Sequence, residues 1–462
     1  MIFQHLDKPD DDQPGLRAVL SEVYKRLISI DPDYAWTSGQ WMMERKGGSN
    51  VRDTETVARR LTSEETQRDQ KLGRDLDADE MPMGPWQIDG FKWCSSATDS
   101  NMAMMLAQTD KGLSAFFAPM RRRTGSHAVG KYELNGVRIQ RLKNKMGTKG
   151  LPTAELELKG TRRWMIGKEG NGIKEISAIL NLTRIYTTNG ALGFWGRALS
   201  ISRAYTKTRN VRDGLLQDNP QHLRWMANQT VDYWAALHLA FFGVALLGTT
   251  EQGRHVHDAR EQMLFPPDDA SLKILLRLLT PVMKAQVSVK SVEGVRACME
   301  CLGGFGYCEN NEDGGIMNVA RLFRDTAVTP IWEGTVSIMA EDTVRVLTDK
   351  RLGHSVVESV FGTWVKAVLK NCQDEGKFEK ECSLVRSRLE TFIGIVKQMD
   401  VPQLRWQGRA VLEHVEAIAC ACLLMYDACV DDDEVATEIA RRWVWSKVLP
   451  GSLRQEQSEW RS

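Results

Sequence analysis

One carboxylate and one glycine-rich turn are the segments of this chain best suited to chemistry. Glu333 lies in Pro330-Ile331-Trp332-Glu333-Gly334-Thr335-Val336, fewer than thirty residues after Gly303-Gly304-Phe305-Gly306-Tyr307. A carboxylate between an aromatic and a Gly-Thr pair suits a general base working on a flat substrate, because the neighbouring glycine lets a ligand or backbone come close. Alone, the tripeptide also reads as a helix-start carboxylate facing the helix dipole. A helical stretch, Ile338 to Leu347, follows directly.

The other reactive side chains point elsewhere. Nine cysteines are scattered, and Cys298 and Cys301 form a C-x-x-C with no second pair and no matching histidines at metal spacing. This spacing predicts core packing on one helix face, no metal site, and a reducing compartment.

The elements that must position these groups change in texture along the 462 residues. Leu16, Val19, Leu20, Val23, Leu27 and Ile28 recur at helical spacing, and the helix ends near Asp31-Pro32. From Trp36 to Ile166 short apolar runs alternate with turn residues. They predict strands over Gly39–Met43, Gln87–Ser95, Ala103–Ala107, Leu113–Ala118, Gly136–Leu142 and Ala154–Lys159, hence a small barrel or sandwich. Asn135-Gly136 signals a hairpin and Asp89-Gly90 a turn, while the charged segment Asp53–Met81 reads as a solvated loop or insertion. Beyond Glu169 the pattern is helical. One helix starts with Ile173, Ile176, Leu180 and Arg184. Further helices cover Trp225–Leu247 and Leu272–Leu302, then Val356–Leu369, Glu381–Met399, Gly408–Val430 and Val435–Lys447.

The formal charge of +1 excludes a global field toward nucleic acid or acidic membrane. The apolar run Trp234–Leu247 is short for a bilayer span. The N-terminus, Met1 to Pro14, lacks signal- or transit-peptide character, and Glu459-Trp460-Arg461-Ser462 is not a peroxisomal signal, so a cytoplasmic protein is expected.

Five motifs in order, between Trp36 and Leu347, resemble the acyl-CoA dehydrogenase superfamily, and within it the AidB-like proteins with their extra C-terminal helical domain. They are Trp41 to Asn50 (WMMERKGGSN), Ile88 to Ala97 (IDGFKWCSSA), Lys143 to Thr148 (KNKMGT), Glu300 to Tyr307 (ECLGGFGY), and Arg324-Asp325 followed by Ile331 to Thr335 (IWEGT). The resemblance implies an α+β, mainly α fold: a small β-barrel flavin domain, a four-helix-bundle domain and an extra C-terminal helical domain. The implied parts are 1–35, a remnant of the family's N-terminal helical domain, most of which is missing; 36–166, the barrel; 167–349, the bundle; and 350–462, the extra helices.

It further implies FAD as cofactor, an acyl-CoA or acyl-thioester substrate, possibilities in secondary metabolism, and a homodimer or homotetramer. Glu333 takes the role of base, its pKa raised by burial against Trp332 and a planar ligand. Met43 and Ser49 fall on one flavin wall, Cys94 and Ser96 on the other. Glu300, Gly303 and Gly304 face the adenosine end, and Thr335 lies near FAD. The chain departs from the pattern at Met43, where the family has Thr, at Cys94, where an aromatic shields the ring, and at Asn50, where it has Asp. The family's phosphate-binding arginine motif is out of register in Asn210 to Gly214, with Arg209 and Arg212 nearby. Two other readings stand beside this one. One is a degenerate, non-catalytic member. The other is a DNA-associated protein presenting Arg405, Trp406, Arg409, Arg441, Arg442, Trp443, Trp445 and Lys447.

Overall fold

The computed structural model describes residues 2–6, 12–125, 131–212, 214–253, 264–309, 314–352 and 355–449. Residues 7–11 of the acidic N-terminal segment, Asp213 of the arginine segment and the C-terminal Glu459–Ser462 lie outside the described residues. The fold is α+β and mainly helical, with a β-barrel sheet followed by helical bundles. It divides into two compact units, Met1–Asn181 and Leu182–Ser462.

In the first unit a seven-stranded sheet holds β1 (Ser38–Trp41), β2 (Val57–Arg60), β3 (Trp86–Ser96), β4 (Met102–Thr109), β5 (Gly112–Pro119), β8 (Val137–Leu142) and β9 (Thr153–Ile166), while β6 (Arg121–Arg123) and β7 (Tyr132–Leu134) form a separate ribbon. Pairing runs β4-β2-β3-β9-β5, and β5 also pairs with β4, which closes the barrel. Closure leaves no free edge along that ring. The interior takes alternate side chains such as Ala103, Met105 and Ala107. Met102 and Met104, pointing the other way, meet Val19, Leu20 and Val23 of helix α1 (Leu16–Ile28). The two-residue period sorts β4 into these two faces.

Three expectations need correction. The polar segment Asp53–Met81 contains β2, a barrel strand paired with β3, and helix α2 (Ser63–Lys71), started by a Thr62–Glu65 capping box. β2 is largely exposed and holds its place in the ring by pairing with β3 and β4, so periodicity missed it. Asp89-Gly90 is a bulge within β3, where the register against β9 shifts; a Cβ on Gly90 would stand 2.7 Å from the Thr56 Cα. Asn135-Gly136 does not close a hairpin, since β7 pairs with β6 and β8 with β9. The buried Asn135 amide instead donates to the carbonyls of Pro119 (2.8 Å) and Arg162 (2.9 Å), tying the crossing to the sheet.

The second unit is helical. α3 (Gly172–Thr208) begins in the first unit and continues here. α4 (Pro220–Gln252) is capped by Asn219, with Pro220 in its first turn, and α5 (Asp269–Cys301) is capped by Asp268. Then come α6 (Gly304–Tyr307), α7 (Val319–Thr326), α8 (Val336–Leu347), α9 (Thr363–Asp374), α10 (Glu379–Gln398), α11 (Val401–Trp406), α12 (Gly408–Asp431) and α13 (Glu434–Trp443). Asp433 caps α13 through a 2.7 Å bond from the Ala436 N–H. One apolar core extends from Ile185 to Val448, with α12 packed on α4, α5 and α8. By length and composition α4 could cross a membrane, which the shorter run Trp234–Leu247 did not indicate. Val231, Ala235, Leu239, Phe242 and Leu246 place one of its faces in this core.

Candidate active site

In the second unit, Glu333 occupies a left-handed turn, φ +55°, immediately before α8. This conformation is costly for a residue with a side chain and persists only where its surroundings hold it. Two bonds do so. The Thr183 hydroxyl of α3 donates to Glu333 Oε2 at 2.6 Å. The Lys284 ammonium of α5 donates to the Gly334 carbonyl. Gly334 is itself left-handed, φ +99°, and a Cβ there would meet Met339 Cε at 2.5 Å.

Lys284 is fully buried in the middle of α5. Burial pushes its pKa down to about 8, a shift that the nearby Glu333 charge opposes and that of Arg184 reinforces. Beside it, Arg184 and Arg277 converge on the buried Asp342 of α8, at 2.7 Å and 2.6 Å. Burial would raise the Asp342 carboxyl, but the two guanidinium groups hold it below its ordinary value. The turn carrying Glu333 is thus braced from α3 and α5. Trp332 is 36% exposed and Glu333 is half-buried.

Also in this unit, Glu300 at the end of α5 is exposed and pairs with Arg296 at 2.8 Å. Gly303 turns the chain at φ +61° into the short α6. A Cβ on Gly303 or Gly304 would meet nothing within 4 Å, so bare backbone faces open space, which fits the close approach of a phosphate-bearing ligand. Thr335, exposed, is the residue before α8 and makes no side-chain cap. Arg209 precedes a short ribbon ahead of α4, Arg212 lies between its two strands, and both are exposed. Cys298 is buried and its thiol is pushed up to about 12, as core packing requires.

The four remaining sequence-selected residues lie in the first unit. Met43 and Cys94 come close because the Trp93 N–H donates to the Met43 carbonyl at 3.0 Å. A buried pair fixes this loop: Glu44 accepts from Lys92 at 2.7 Å and from the Thr56 hydroxyl and Glu55 N–H, both at 2.6 Å. Lys92 also donates to the Leu106 carbonyl. Burial would raise the Glu44 carboxyl, but the Lys92 charge and these bonds hold it low. Ser49 is exposed at the loop tip, and the Ser96 hydroxyl is shared with that of Thr153 at 2.9 Å. Trp93, between Met43 and Cys94 in this arrangement, has Lys143 Nζ 3.3 Å and Arg45 Cζ 4.6 Å from its ring centroid. Neither Met43 nor Cys94 supplies the hydroxyl or ring that its position has in the family.

Sequence reasoning did not find Thr183, Lys284 or the Glu44–Lys92 pair. Lys284 left one readable sign, the single charge in the largely apolar stretch Leu278–Val289 of α5. Thr183 left none.

The crystal structure of Caenorhabditis elegans ACDH-11 in complex with C11-CoA superposes with a TM-score of 0.79 at 31% identity, covering 96% of this chain and 71% of that one. This chain belongs to the acyl-CoA dehydrogenase superfamily. The profile described as "Acyl-CoA dehydrogenase, C-terminal domain" matches residues 170–348, the acyl-CoA dehydrogenase segment that carries Glu333. Acyl-CoA dehydrogenase family member 11 of C. elegans is 35% identical over 387 residues, 81% of this chain and 55% of its own length. The putative acyl-CoA dehydrogenase AidB of Escherichia coli is 28% identical over 362 residues, 78% of this chain and 57% of its own. The chain therefore spans little more than half the length of these curated acyl-CoA dehydrogenase relatives.

Proposed function

We propose that the chain acts in FAD-dependent α,β-dehydrogenation of an acyl thioester, with Glu333 as the base that takes the α-proton. The observation that carries this reading is the braced turn: a half-buried carboxylate in a left-handed conformation, with Thr183 on one oxygen and Lys284 on the next carbonyl. Holding a base in its reactive position lowers the cost of reaching the transition state. The backbone N–H of Glu333 serves to hold the thioester oxygen, where negative charge develops as the proton leaves. Bound FAD supplies the acceptor for the β-hydride. By motif match the residues that would hold it are Met43, Ser49, Cys94, Ser96, Glu300, Gly303, Gly304 and Thr335. Met43 offers no hydroxyl, which removes roughly 1 kcal/mol of hydrogen bonding, and Cys94 removes stacking area. The flavin is accordingly held more weakly than the motif's usual residues would hold it.

The relative from C. elegans was crystallised with C11-CoA, so a saturated acyl-CoA of that length is the first substrate to try. The chain's four parts are 1–35, 36–166, 167–349 and 350–462, and the helices after 349, with the match to AidB, support an AidB-like member. A second copy as partner is supported by the exposed apolar side chains of Trp234, Phe241 and Val244 on one face of α4. Nucleic acid is not favoured: Trp443 is fully buried with its indole N–H on the Ala417 carbonyl, and Lys447 and Arg442 face Asp232 and Glu438.

The test is the visible spectrum. The protein reconstituted with FAD turns yellow and bleaches on adding acyl-CoA without oxygen, and Glu333→Gln binds flavin equally but does not bleach. A protein that takes up no flavin sinks the cofactor assignment. Bleaching by Glu333→Gln sinks the base assignment.

A further inference from the structure

Three consecutive side chains of β9 carry N–H donors, and only the outer two find acceptors. Arg162 donates to the carbonyls of Gly84 and Met83 and pairs with Asp69 at 2.5 Å. The Trp164 indole donates to the Pro82 carbonyl at 3.1 Å. Arg163 lies between them on the opposite face, which two residues further on carries Met165 of the barrel core. It is 1% exposed. Among the described residues its Nε–H and its Nη2–H meet no acceptor. Directly opposite stands Trp86 of β3, in register with Arg163 and therefore on the same face. The Trp86 ring meets Phe116 edge-on in the barrel core, with centroids 5.6 Å apart. Its buried indole N–H also meets no acceptor among the described residues.

The charge is as unbalanced as the hydrogen bonding. A guanidinium keeps its proton inside a protein, and leaving a buried charge uncompensated is costly. Burial acts against the Arg163 charge, and no carboxylate among the described residues offsets it. Lys92 is a second buried cation of the barrel unit, and the Arg163 charge acts against it as well. The Glu44 carboxylate is already committed to Lys92, the Thr56 hydroxyl and the Glu55 N–H. The Nε–H and Nη2–H of an arginine lie on one edge of a planar group and point the same way. That edge is a two-pronged fork for an anion.

We propose that Arg163 and Trp86 form an internal anion site on the β3–β9 pair of the barrel, taking one small monovalent anion of the halide class. The fork supplies two charge-assisted donors and the indole a third. A halide only accepts hydrogen bonds, and these groups only donate them. A divalent oxyanion would bring more lone pairs than three donors satisfy, together with a second charge to bury. With a halide in place, the two buried cations are matched by two negative charges, and Glu44 stays with Lys92.

The experiment follows urea denaturation of the full chain at constant ionic strength while sodium chloride replaces sodium gluconate, whose anion is too large for the site. Above the dissociation constant, each tenfold increase in chloride should raise the folded-to-unfolded ratio about tenfold, the mark of one ion bound to the folded chain. Arg163→Met loses that dependence. Trp86→Phe keeps a ring but removes the N–H, so it retains the dependence and needs more chloride for the same gain. Wild-type crystals grown in sodium bromide should show an anomalous peak within hydrogen-bond reach of Arg163 Nε and Nη2, a result that needs no variant to fold. The proposal is overturned if chloride and gluconate give the wild type equal stability, if Arg163→Met keeps the chloride dependence, or if no bromide peak lies at this place.

Discussion

The Thr183 hydroxyl donates a 2.6 Å hydrogen bond to Glu333 Oε2 across 150 residues of sequence. One residue further on, the buried Lys284 ammonium holds the Gly334 carbonyl. Together they keep a left-handed glutamate in one orientation, which makes the turn a positioned carboxylate instead of a mobile one. Removing the hydroxyl without changing the side-chain shape, Thr183→Val, should slow substrate-dependent flavin bleaching by about fivefold to tenfold, the kinetic equivalent of roughly 1 kcal/mol. Melting temperature and flavin affinity should stay as in the wild type. Stopped-flow absorbance gives the rate; an unchanged rate would mean that the Thr183 bond does not position the base.

Lys284 makes a pH prediction with a definite sign. Its folded pKa of about 8 lies below its usual 10.5 because burial penalises the charge. Below about 8 both folded and unfolded lysine are protonated, so the cost is present in full. It disappears as pH rises through 10.5. The stability of the wild type relative to Lys284→Met should therefore rise between those limits, by about 3 kcal/mol in all. Urea denaturation of both proteins across that range measures it, and parallel pH profiles would refute it.

His414 acts in the acid range. It is buried on α12, stacked on Phe392 with centroids 5.2 Å apart, and burial with the Arg388 charge pushes its pKa down to about 4. The unfolded chain binds this proton at the ordinary 6.5. Between the two values the unfolded state holds more protons, so stability is lost as pH falls from 6.5 to 4, by about 3 kcal/mol. His414→Leu should remove that part of the acid slope, read as melting temperature against pH.

In the barrel unit, the Glu44–Lys92 pair should show strong coupling. Glu44→Ala leaves the buried Lys92 without its counter-charge and should cost about 3–5 kcal/mol. The double variant Glu44→Leu with Lys92→Met removes both charges and should recover most of the loss. A chemical-denaturation cycle tests this, and additive losses would show that the two residues do not form a functional pair.

Much of the fold was legible because local patterns and the tertiary environment agree. The strands of β3, β4, β5 and β8, and the long helices α3, α4, α5 and α12, follow from side-chain period. The polar β2 was not legible, because its partners on both sides place it in the ring. Asn135-Gly136 carries a hairpin signal that is purely local, yet the strands on either side pair with different neighbours.

The sequence by itself determined the α+β class, the superfamily through five ordered motifs, and Glu333 as the carboxylate to watch. Motif order survives in one dimension because neighbouring residues form each loop. Only the tertiary structure decided that Thr183 and Lys284 brace Glu333 and that Glu44 pairs with Lys92. Those partners come from helices or strands distant in sequence. Their meeting depends on how packed surfaces set crossing and register, which a residue's type and immediate spacing do not encode.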